Sequence, residues 1–109
     1  MSDKVKFSDW EKLDLRVGTI IEAKDHPNAD KLYVLKINLG NEERTVVAGI
    51  RKAYTVKQLI GMKVIVFTNL EPAVLRGVKS EGMILAAVDG ENVRLLTTDE
   101  DMDNGAKIM

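Results

Sequence analysis

"RTVVAGIRKAYTVKQLIGMKVIVFT" occupies residues 44–68, and the order of patterns inside it constrains the fold more than any other stretch. "RTVVAGI", 44–50, is β-branched and reads as a strand. Thr55 then stands where a helix N-cap belongs. Val56, Leu59 and Ile60 form the buried side of a short helix, and Gly61 supplies its stop. "KVIVFT", 63–68, is a strand again. A helix is therefore set between two strands that are both apolar enough to be buried.

On the N-terminal side, "KLYVLKINL" (31–39) is a further strand, joined to residue 44 by the hairpin connection "GNEE" (40–43). "DLRVGTIIEAK" (14–24) places Leu15, Val17, Thr19, Ile21 and Ala23 on alternate positions, with Gly18 predicting a bulge or sharp bend. Between these two strands "DHPNAD" (25–30) is a loop, since His26 precedes a proline and Asn28 and Asp30 favour turns. Ser8 and Glu11 have capping-box spacing, and Phe7, Trp10 and Leu13 share one helical face, which predicts a short helix at about 8–13. On the C-terminal side "MILAAV" (83–88) is a fifth strand, and "DGEN" (89–92) turns into a sixth, "VRLLT" (93–97).

Three strands, a helix and two strands, with pieces added at both ends, is the order of the OB-fold, a five-stranded barrel. The fold class is thus all-β with a short helix, residues 1–109 forming one domain. An SH3-like barrel or a small sandwich is the alternative. In the OB-fold, ligands lie across strands two and three, between the loop joining strands one and two and the loop joining strands four and five. Here those are "DHPNADK" (25–31) and "NLEPAVLRGVKSEG" (69–82), the two most elaborate loops of the sequence.

Composition narrows the function. With no cysteine, disulfides, thiolate catalysis and Cys-based metal sites are excluded. No apolar stretch approaches the roughly 20 residues of a membrane span, and the first residues lack a signal-peptide pattern, so the expectation is a soluble cytoplasmic protein without a membrane partner. Net charge is −1, but residues 50–80 hold six cations against one acid and residues 81–109 two against seven. Such sorting is compatible with one basic face and one acidic end. His26 is the one histidine. It could act as an acid or base, but no second histidine or cysteine joins it, and Asp25 and Asp30 beside it are turn formers first. "GVKSEG" lacks the GK[ST] ending of a phosphate-binding loop and does not open a helix. The expectation is a non-enzyme with no cofactor, no metal and no catalytic residue.

"DLRVGTI", "HPNADKLYVLKINLG", "VAGI" and "NLEPAVLRGVKSEGMILAA" together resemble the tRNA-binding domain found at the C-terminus of methionyl-tRNA synthetases and in free-standing tRNA-binding proteins. The resemblance runs from about Phe7 to Lys107. The more distant CsaA-type secretion chaperone shares the barrel, and a peptide-binding or protein-interaction module is the alternative function. The resemblance implies structure-specific, largely sequence-independent binding of tRNA in aid of aminoacylation, as a synthetase beta subunit or C-terminal domain. It also implies a homodimer, with a synthetase catalytic subunit as the protein partner. Carried over residue by residue, the RNA contacts are Lys31 from the first loop, Asn69, Arg76, Lys79, Ser80 and Met83 from the second, and Arg44 on the strand face. Shape readers use such residues on phosphates and 2′-hydroxyls without reading bases. Two places depart from the family's usual pattern: Ala48 stands in place of a serine, and Glu71, Ala73 and Val74 stand where the loop is often basic. The apolar pieces outside the five strands, "FSDWEKL", "VRLLT" and "AKIM", are the expected dimer surface.

Overall fold

The computed structural model describes residues 3–109. The strand β1 (Leu15–Asp25) is shared between two neighbours. Its residues 15–19 pair antiparallel with β4 (Lys63–Phe67), and its residues 19–25 with β2 (Tyr33–Asn38). A strand that changes partner must bend. The register shift falls between Ile20 and Glu22, not at Gly18 where the sequence predicted it. Gly18 answers a different demand, close approach: a Cβ there would lie 2.6 Å from Ile37 Cγ2 and 3.2 Å from the Asn38 carbonyl oxygen.

The two halves of β1 also need partners on their second edges, because a buried strand cannot leave N–H and C=O groups unpaired. Ile20 exchanges bonds with the chain after the helix, Gly61 N–H donating to its carbonyl at 2.8 Å. Along the first half runs the C-terminal segment 105–108. Val17 N–H donates to the Ala106 carbonyl and Ile108 N–H to the Leu15 carbonyl, both at 2.9 Å.

β3 (Glu43–Ala48) pairs with β2 over its whole length, and β7 (Met83–Ile84) with β4, giving the order β3-β2-β1-β4-β7. The expected fifth strand 83–88 is split. Leu85 donates its N–H to Ile65 and accepts from Leu96 at its carbonyl, so the ladder changes partner at that residue. Beyond it β8 (Ala86–Asp89) pairs with β9 (Asn92–Leu95) in a hairpin of its own. The ends of the sheet meet where Glu81 N–H donates to the Thr45 carbonyl at 2.8 Å and Val47 N–H to Ser80 Oγ at 2.9 Å. The result is a nearly closed five-stranded antiparallel barrel of OB type.

Ile20, Leu35, Ile37, Val46, Val64 and Val66 fill the barrel, and Leu59 of α2 (Val56–Leu59) plugs one end. Burying such a side chain stabilises the fold by about 1.5–3 kcal/mol. Thr55 and Gln58 close a reciprocal capping box on α2, and Gly61 ends it with φ at +88°. Ile60, expected on the buried side, turns outward. Ile65 points to the opposite face of β4 from Val64 and Val66, as alternation requires, and is buried with Leu15 and Val17 under Leu13, Ala106 and Ile108. The N-terminal helix α1 is Phe7–Trp10, shorter than expected; its N-cap is Lys6 and no side chain caps it, so the Ser8–Glu11 box does not form.

Asp14 stands at the start of β1 with Arg16 Nε 2.6 Å from its carboxylate. That hydrogen bond and the guanidinium charge hold its carboxyl below the ordinary value of 3.8, against the opposing effect of partial burial. A depressed folded-state value means that the contribution to stability is present above pH 3.8 and is lost as pH falls through the lower folded value. Asp14→Asn should therefore lower the melting temperature at neutral pH and lose less than the parent between about pH 5 and 3; parallel acid profiles would contradict the assignment. For the barrel, Gly18→Val should cost roughly 1–3 kcal/mol by overpacking. Gly49→Ala, whose new methyl would meet Leu32 at an ordinary 3.6 Å, should melt within a degree or so of the parent.

Candidate nucleic-acid interface

The segment 69–82 begins beside the start of β1 and is anchored there. Thr68 N–H and Oγ1 both donate to the Asp14 carbonyl, at 2.9 and 2.7 Å. Asn69 Oδ1 accepts from Asp14 N–H at 2.8 Å while its Nδ2 donates to the Lys12 carbonyl at 2.7 Å. Arg44, half-buried, spans both ends of the segment: Nη1 bonds the Thr68 carbonyl and lies 3.4 Å from that of Glu81, and Nε pairs with Glu42. Arg16 and Arg44 line one polar cleft with Asp14, Glu42, Thr68 and Asn104. Both guanidiniums are matched there by carboxylates, which leaves little attraction for an anion.

The middle of the segment, expected as loop, forms a hairpin. β5 (Ala73–Leu75) pairs with β6 (Val78–Ser80) across the two-residue turn Arg76-Gly77. Their φ angles of +54° and +90° are those of a type I′ turn. Strand alternation sorts the side chains. Val74 and Lys79 are cross-strand partners, both exposed, whereas the Ser80 side chain turns inward to β3 and is buried. Ser80 Oγ accepts from Val47 N–H and donates to the Gly82 carbonyl at 3.0 Å.

At its tip the hairpin meets the first loop. His26, 4% exposed, accepts from Asn28 N–H at Nδ1 and faces the Leu75 carbonyl with Nε2, both at 2.9 Å. Asn28 Nδ2 donates to the Arg76 carbonyl at 3.2 Å, and the Arg76 guanidinium lies 3.4 Å from the Asn28 carbonyl. The two loops that flank the strand face are thus fastened to each other.

Of the residues singled out in the sequence, Lys31 of the first loop, Arg76 and Lys79 of the hairpin, and Met83 at the start of β7 are exposed. Asn69, Ser80 and Arg44 instead have their polar atoms engaged in holding the segment to the barrel, a use that loop construction imposes and that a carried-over motif does not reveal. None of the ion pairs among the described residues involves Lys31, Arg76 or Lys79. The basic block 50–80 does not form one face. Lys63 bonds the Met102 carbonyl at 2.7 Å in the acidic C-terminal stretch, while Arg51 pairs with Asp25 at 3.0 Å at the foot of the first loop. The roles of His26 and Asn28 are not evident from the sequence: the His-Pro-Asn turn is visible there, but the carbonyls it holds lie 49 and 48 residues away.

The family model described as "Putative tRNA binding domain" matches residues 15–107. A methionine–tRNA ligase of Pyrococcus horikoshii is 61% identical over 95% of this chain, and one of Thermotoga maritima 44% identical over the same share. The chain spans about 14% and 16% of the length of these two relatives. Among solved structures, a MetRS-related protein of Pyrococcus horikoshii superposes with a TM-score of 0.92 at 31% identity, covering 99% of this chain and all of that one. The chaperone CsaA of Bacillus anthracis does so with 0.89 at 32% identity, covering 98% of this chain and all of that one. With a barrel of this type, two loops fastened to each other beside its strand face and a family match over nearly its whole length, the chain belongs to this family of tRNA-binding domains.

Proposed function

We propose that the chain binds folded tRNA by shape, with little dependence on sequence, and so assists aminoacylation by a methionyl-tRNA synthetase of which it is the beta subunit or C-terminal domain. One observation carries the reading: Lys31, Arg76 and Lys79 stand exposed on two loops already fastened together, while the tyrosines are engaged elsewhere. Tyr33 is buried with its hydroxyl on the Tyr54 carbonyl at 2.8 Å; Tyr54 accepts from Leu95 N–H, and Arg94 covers its ring. A binder of unstructured strands would offer free rings for base stacking. A reader of folded RNA needs cations on a fixed surface. The module is non-catalytic and acts in the cytoplasm. Among the described residues no helix is long and apolar enough to cross a membrane.

A second reading is favoured by Leu70 and Val74 of the segment and Met83 just beyond it, exposed apolar side chains that suit an extended apolar peptide. The similarity to CsaA chaperones agrees with it.

A second copy of the chain completes the particle. "VRLLT" and "AKIM" pack largely on the chain's own barrel, through Val93, Leu95, Ala106 and Ile108. What stays open is a contiguous apolar surface of Val5, Phe7, Trp10 and Met109 with Leu13 at its floor, and such a surface on a small protein marks an interface. A two-fold axis through it doubles the number of RNA faces. Sedimentation at micromolar concentration should give a dimer, and Phe7→Glu a monomer; a monomeric parent would refute the assembly.

For the RNA site, Lys79→Ala and Arg76→Ala should each weaken tRNA binding and flatten log K against log salt by about 0.7–0.9. Glu71→Lys should tighten binding and steepen the slope. A lysine placed on the far side of the barrel should do neither, being beyond the screening length of about 8–10 Å. If the two lysines act alike, bulk charge explains the binding and these loops are not the site. If unfolded peptide competes and unstructured RNA binds as well as tRNA, the second reading stands instead.

A further inference from the structure

The contact between the loops is centred on one imidazole whose tautomer its neighbours dictate. Nδ1 of His26 accepts from the Asn28 amide, so it carries no proton; Nε2 must then be the protonated nitrogen, donating to the Leu75 carbonyl. With the ring almost entirely buried, His26 is screened from RNA. What it reaches is the strand that leads into Arg76. A hairpin of three residues per strand is marginal on its own, and the nearest fixed structure at its tip is the first loop. Asn28 adds a side-chain bond to the Arg76 carbonyl, and Arg76 returns its guanidinium to the Asn28 carbonyl.

We propose that His26 is a positioning residue for RNA binding, acting through Asn28, Leu75 and Arg76 to hold Lys31, Arg76 and Lys79 as one preset surface; the proposal rests on the tRNA reading above. Ordering flexible loops at the moment of association subtracts from affinity. A latch closed beforehand removes that loss without adding a contact to the ligand. Loss of the latch therefore has a different signature from loss of a cation: affinity falls while the number of phosphate contacts, and so the salt slope, is preserved.

The test measures tRNA affinity against salt for the parent, His26→Ala, His26→Gln and Asn28→Ala, with amide hydrogen exchange and melting temperature on the same proteins. Glutamine can place an N–H near the position of Nε2, within reach of the Leu75 carbonyl. The expected results are an affinity about tenfold lower for His26→Ala at an unchanged slope, substantial recovery in His26→Gln, and a loss of a few-fold for Asn28→Ala. Exchange should quicken at the Asn28 amide and in β5–β6, but not in the β1–β4 ladder. The proposal is overturned if His26→Ala binds within twofold of the parent, if its slope falls as for Lys79→Ala, or if glutamine recovers nothing. Should His26→Ala fail to fold, the exposed Asn28→Ala decides: parental affinity there overturns the latch. A parent that binds no tRNA at any salt refutes instead the functional reading on which the latch depends.

Discussion

The outer edge of β3 is the constraint on which this barrel turns. A five-stranded sheet ordered β3-β2-β1-β4-β7 has two ends, and open strand edges are both unsatisfied and prone to pair with other chains. β7 is too short to cover β3 directly. The chain solves this with a backbone bond from Glu81 to Thr45 and a side-chain substitute for one, Ser80 Oγ accepting from Val47 N–H. A serine can do this because its hydroxyl is acceptor and donor together, and the Gly82 carbonyl receives the proton.

That closure also dictates where the proposed binding surface lies. Once residues 80–82 must reach β3 and residues 68–69 must stay beside Asp14, the intervening stretch is held at both ends on one side of the barrel. Folding it into a hairpin satisfies its own backbone, and its tip then falls against the first loop. Construction consumes Arg44, Asn69 and Ser80. The residues left facing water are those that strand alternation and turn geometry direct outward.

The strand order, the helix between β3 and β4 and the location of the paired loops were legible because they rest on local pattern: Val46, Val64 and Val66 at strand spacing, Thr55 and Gly61 as helix punctuation. What was not legible depended on partners distant in sequence. Gly18 looks like a bend until Ile37 is found against it. "MILAAV" is apolar throughout, and nothing local says that Leu85 will bond Ile65 on one side and Leu96 on the other. The same holds for the site. Lys31, Arg76 and Lys79 could be picked out as loop cations with no evident packing task, but the occupied amide of Asn69 and hydroxyl of Ser80 become visible only when residues 12–14 and 47 are brought beside them.

Arg76 sits at the first central position of a turn that requires positive φ, where a side chain other than asparagine or aspartate costs about 1–2 kcal/mol relative to glycine. Optimising this domain for heat resistance alone would draw glycine or asparagine into that position and remove a charge from the proposed RNA surface. On the proposed RNA surface, stability and affinity are thus opposed at a single backbone angle. A set of position-76 variants sorted by melting temperature would rank first those that lack the charge.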